Sequence, residues 1–186
     1  MSLSDVMAVG IGVGGLALAA LNLWLVYKTI RSQWLSNSAT LVAWFEQEFG
    51  SDKIIQSRNK LAVTIRQEIQ LPKKDHVLTG YWPVLSLYDV LGAMIRRKAI
   101  DEELSWNRFG WRIVRCHLAL VKRTDLLKKT REIDESTLYE QFDWLGKRWI
   151  KRYESHVKRL DPENATEEYL AQEITLTSES TKKKRT

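Results

Sequence analysis

The sequence holds one cysteine, Cys116, so no disulfide can form within the chain. That fits a reducing compartment. Prolines number only three, and neither Pro nor Gly interrupts residues 22–49. No stretch alternates apolar and polar residues as a half-buried strand would, which leaves a helical reading. Phosphate-binding loops, dinucleotide fingerprints and a GxSxG elbow are all missing, and no His/Cys grouping has metal-ligand spacing. His76, His117 and His156 lie far apart. The sequence therefore implies no cofactor, no metal and no small-molecule substrate.

Charge is also missing from Val6 to Tyr27, which reads VMAVGIGVGGLALAALNLWLVY. Twenty-two helical residues at 1.5 Å each span about 33 Å, close to the hydrocarbon thickness of a bilayer. A cleaved signal peptide is the rival reading, and Ala17-Leu18-Ala19 faintly resembles a cleavage site. However, the preceding MSLSD carries no Lys or Arg, and the apolar run continues eight residues further. We expect a membrane anchor. Lys28 and Arg31 follow the run and Asp5 precedes it, so the positive-inside rule puts the N-terminus outside and the rest in the cytoplasm, at the cell inner membrane. The expected divisions are 1–5 outside, 6–27 as the span, 28–174 as a cytoplasmic helical domain and 175–186 as a disordered basic tail ending in Lys182–Arg185. Gly10 and Gly14 form a GxxxG, whose small residues let helix backbones approach, and Asn22 is the one strongly polar side chain in the span. These three residues are candidates for homo-oligomeric assembly or a pore wall. The lipid bilayer is the first expected partner.

Beyond the span the fold expectation is all-α, a helical bundle. The span runs on through Trp34–Phe49 or breaks near Ser36-Asn37-Ser38. Ser51-Asp52 caps a second helix, and Leu71 to Pro83 is a loop. A third helix takes Val84–Lys98, and Asp101 caps a fourth that reaches about Arg131, with a bend expected at Gly110. Asp134-Glu135-Ser136 opens a long helix to about Leu160, and a short one follows Pro162.

The formal charge is +6, and Asp5 is the only charge before Lys28, which leaves +7 on the remainder. Anionic lipid, RNA and nucleotides all suit such a domain. Arg108, Arg112, Arg115 and Lys122 recur along one helical face, and Arg96 and Arg97 come just before it. Converging, they would form a basic groove for phosphates; dispersed, they are a solvated surface with scattered ion pairs. Arg112 and His117 also have the Arg-x4-His spacing that resembles the motif of HEPN ribonucleases. There the resemblance implies Arg steadying phosphate charge and His moving the proton of a 2′-hydroxyl. The departures are Ile113, where that family usually has a polar residue, and an angular separation of about 140° on a helix. His117 shares its side with Ile113, Leu120 and Val121, as a packed histidine would.

The run VLSLYDVLGAMIRRKAIDEELSWNRFGWRIVRCHLAL, followed by QFDWLGKRW, is similar to the DUF4760-type family of bacterial membrane-anchored helical proteins. Tyr88, Asp89, Gly92, Arg96, Arg97, Ile100, Asp101, Glu103, Phe109 and Gly110 stand at its recurring positions. The resemblance implies an N-terminal span before a helical domain and no established activity. The layout more loosely resembles the small HEPN-like membrane accessory proteins of RNA-targeting CRISPR systems, which assemble into pores. Three functional readings follow: a non-enzymatic oligomerising membrane protein acting in membrane perturbation or signalling, in the manner of antiviral defence proteins; a membrane-tethered RNA-binding protein or ribonuclease using Arg112 and His117; and a membrane scaffold for a protein partner.

Overall fold

The computed structural model describes the backbone of residues 3–72, 78, 82–133, 137–156 and 160–183, and their side chains except those of 3–17, 19, 133, 156 and 176–183. Seven α-helices and no strand occur among the described residues. They are α1 (Leu3–Phe49), α2 (Asp52–Gln70), α3 (Pro83–Arg96), α4 (Glu102–Leu118), α5 (Leu126–Ile133), α6 (Glu140–His156) and α7 (Pro162–Lys183).

α1 is unbroken through Ser36-Asn37-Ser38. No cap forms there because Ser38 is buried, with its Oγ accepting the Asp101 N–H at 3.2 Å. Residues 20–33 are exposed, and Trp34 is the first α1 side chain to meet the bundle. Beyond it, Val42, Phe45 and Phe49 are buried. The pairs Trp34–Lys98, Ser38–Asp101, Glu46–Arg108 and Phe49–Phe109 rise in step, so α4 runs alongside α1 in the same direction. Among the described residues no helix is long and apolar enough to cross a membrane. The expected span over 6–27 is therefore without support from them, and its side chains 6–17, including Gly10 and Gly14, lie outside them.

Ser51 caps α2 and Asp101 caps α4, as their positions before apolar-periodic runs require. The helix runs through Gly110 without interruption. α4 continues to Leu118, and a π-helical turn, Ala119–Arg123, then ends it. Thr124 Oγ1 donates to the Ala119 carbonyl at 2.9 Å, and Asp125 takes φ 54°, which starts α5 in a new direction. Gly110 is instead buried beside Trp106: a Cβ there would meet the Trp106 ring at 2.5 Å. α6 begins at Glu140, after a turn over Thr137–Tyr139, and the expected start at Asp134–Ser136 lies outside the described residues. α7 is long, 22 residues, and its backbone continues through residues 175–183, assigned from sequence to a tail.

The core is a run of aromatic contacts crossing four helices. Phe49 stacks on Phe109 at 4.8 Å and touches Tyr88 at 5.2 Å; Tyr88 stacks on Phe142 at 5.6 Å. Each fully buried large apolar side chain is worth about 1.5–3 kcal/mol over leaving it in water. α3 and α6 approach closely at Gly92, where a Cβ would lie 2.5 Å from the Gln141 carbonyl oxygen.

Candidate functional site

Two polar centres are buried in the bundle. In the first, His117 from the end of α4 points at α6, and its Nε2 lies 2.8 Å from Asp143 Oδ1. Asp143 Oδ2 accepts from Arg131 at 3.1 Å and from Lys147 at 2.9 Å. Burial alone would raise the Asp143 pKa. The hydrogen bonds from His117, Lys147 and Arg131 outweigh it and hold the carboxyl well below the usual carboxylate range. An ionised carboxylate only accepts, so His117 Nε2 carries the shared hydrogen. His117 is 1% exposed, and the missing side chain of Gly146 makes room for it. A groove lined by Val121, Leu127, Lys128, Arg131, Asp143 and Lys147 opens beside this centre.

The second centre joins α2 to α7. Arg58 forks onto Glu173 through Nε at 2.8 Å and Nη2 at 2.9 Å, and both residues are buried. Arg112 Nε approaches the same carboxylate at 3.6 Å, and its guanidinium lies over the Phe49 ring. Cys116, Tyr88 and Tyr169 are buried around it. Burial pushes the Cys116 thiol up to about 12, so it stays a thiol and not a nucleophile at neutral pH. Burial likewise raises both phenols.

Arg112 and His117 thus belong to different centres within one chain, one at Glu173 and the other at Asp143. The five-residue spacing sends them to different sides of α4, as its helical angle requires. The basic stripe is similarly dispersed. Arg108 pairs with Glu46 of α1 at 3.3 Å, and Arg115 pairs with Glu168 of α7 while stacking on Trp111. Arg96 meets Glu140 at 3.4 Å and lies over Trp144. Arg97 and Lys122 are exposed. On α6, Arg148 grips Glu102 with two bonds, at 2.7 and 2.8 Å, and Arg152 meets Glu103. The Arg148 bond is the chief reason that the Glu102 pKa is lowered. These cations hold α4 and α6 to their neighbours, and much of their charge faces a carboxylate of this chain.

Sequence reasoning missed Asp143, Glu173, Arg58 and Arg131. Asp143 sits in the quoted QFDWLGKRW, but only the fold shows that Arg131, Lys147 and the His117 ring converge on it. Glu173 is 115 residues from Arg58, and no local signal joins them. The residues behind the family resemblance have packing roles: Tyr88 stacks on Phe142, Asp89 Oδ1 accepts the Phe142 N–H at 2.9 Å, Gly92 admits α6 and Asp101 caps α4. Among the described residues no group of His, Cys, Asp or Glu could hold a metal ion. His76 and the His156 side chain lie outside them.

No family model matches the chain, and neither a curated protein nor a solved structure is found similar to it.

Proposed function

We propose that this chain is a membrane-tethered, non-enzymatic helical protein that self-associates through α1 and acts by membrane perturbation or signalling. One observation carries the reading: the α1 backbone continues for 31 residues, 3–33, ahead of Trp34, the first described side chain to meet the bundle, and the large apolar side chains described there are exposed. Leu18, Leu21, Leu23, Trp24, Leu25, Val26, Tyr27 and Ile30 are each at least 46% exposed. At 100° per residue, 21–27 cover the whole circumference, so no single partner face would bury them. A lipid environment does, and the uncharged sequence from Val6 to Tyr27 matches its thickness.

The bundle adds a second line of support. Its polar side chains are engaged within the chain: His117 with Asp143, Arg58 with Glu173, and Asp143 also with Arg131 and Lys147, while Cys116 is buried and protonated. A nuclease using Arg112 and His117 would have to withdraw both from these centres.

The orientation is N-terminus outside and bundle in the cytoplasm, since Lys28 and Arg31 follow the apolar stretch. Gly10, Gly14 and Asn22 supply the assembly face. The test is chemical crosslinking of the full chain in native membranes. Dimers or larger species that weaken in Gly10→Leu/Gly14→Leu support self-association, and a monomer at every expression level contradicts it.

A further inference from the structure

The fold carries two basic residues from the middle of the chain to the level of α1 where the apolar stretch ends. Trp34 Nε1 donates to the Lys98 carbonyl at 3.0 Å. This fixes the turn after α3 against α1, one helical turn past Arg31. The turn is tight: Lys98 takes φ 57°, and its N–H bonds to the Ile95 carbonyl at 3.0 Å. Arg97 and Lys98 are exposed on it, as are Lys28 and Arg31 on α1.

Charge distinguishes these four from the other basic residues nearby. Arg96, Arg148 and Arg152 each face a carboxylate, and so do Arg108 and Arg115 further along α4. Among the described residues no carboxylate lies within ion-pairing distance of Lys28, Arg31, Arg97 or Lys98. The acidic groups closest in sequence are committed elsewhere: Asp101 caps the Leu104 N–H at 2.9 Å, Glu102 is held by Arg148 and Glu103 by Arg152. The seven residues from Lys28 to Trp34 rise about 10 Å along the helix, which is within the headgroup layer and one Debye length of a bilayer surface.

We propose that Lys28, Arg31, Arg97 and Lys98 form a basic collar that seats the near end of the bundle on anionic lipid headgroups. The proposal rests on the membrane reading above. It adds that the bundle docks on the bilayer and does not stand clear of it. Docking fixes the bundle's rotation about α1, because Arg97 and Lys98 sit on one side only. Trp34, half-buried between α1 and the turn, is an amphipathic ring of the kind favoured at this depth.

The experiment uses the full chain reconstituted into vesicles of phosphatidylcholine alone or with about a third phosphatidylglycerol. Lysine acetylation rates are read by mass spectrometry, with carbonate extraction run in parallel. Lys53, exposed at the far end of the bundle, is the control. The expected result is Lys98 and Lys28 acetylated several-fold more slowly in anionic vesicles, with Lys53 unchanged. The protection should fall in high salt and in Arg97→Gln, since each basic residue at such a surface adds about one increment of attraction. Equal Lys98 rates in both lipids, from a chain that resists carbonate, would overturn the collar and leave the tether standing. A chain released by carbonate overturns both.

Discussion

At the scale of single residues, buried charge joins the helices, and its weight can be tested by removing one partner at a time. Glu173 neutralises Arg58 and faces Arg112, so Glu173→Ala leaves a buried guanidinium without its counter-ion. The expected loss is about 3–5 kcal/mol, read from urea unfolding of the detergent-solubilised chain. Gly146→Ala places a methyl 2.3 Å from the His117 ring and forces α4 and α6 apart, with an expected cost of about 1–3 kcal/mol. Asp143 adds a pH dependence. Its pKa is lower in the folded state than in the unfolded chain, where a carboxyl titrates near 3.9. Its stabilising contribution is therefore complete above that value and disappears as pH falls through the folded pKa. Glu102 acts in the same direction. The Asp143 contribution to the unfolding midpoint should hold from pH 7 down to about 4 and fall below that, so that the natural chain loses stability more steeply in this acid range than Asp143→Asn, which is weaker already at pH 7.

At the scale of elements, the legible parts of the sequence were those set by local chemistry. Ser51 and Asp101 announced helix starts because a cap is decided within three residues. The apolar faces of α2 and α3 announced themselves by period. The π-helical turn at Ala119–Arg123 did not, because it is made by Thr124 reaching back to the Ala119 carbonyl and by the backbone of Asp125, with no Gly or Pro to mark it. Gly110 looked like the hinge and is a packing site for Trp106. The Arg112–His117 pair illustrates the same limit: spacing suggested a shared site, while their partners, Glu173 and Asp143, were visible only once α6 and α7 were in place. α1 is the element most open to dissection. Its first contact with the bundle is at Trp34, so a chain lacking residues 1–31 should keep its helical circular dichroism and melt within a few degrees of the full chain in the same detergent. A collapse of the melting transition would show that the exposed segment supports the bundle.

For the whole molecule, the shape is a helical bundle on a helix of 47 residues, about 70 Å long, whose outer part is apolar and unsupported by the bundle. Charge follows the same division: none from Val6 to Tyr27, and a basic level where the bundle begins. The most direct test is extraction of the full chain from bacterial membranes with alkaline carbonate, combined with protease treatment of spheroplasts and of inside-out vesicles. A membrane-tethered chain stays in the carbonate pellet, is released by detergent and loses its bundle to protease only in inside-out vesicles. A chain that carbonate releases to the supernatant, or whose bundle is digested in intact spheroplasts, would contradict that placement.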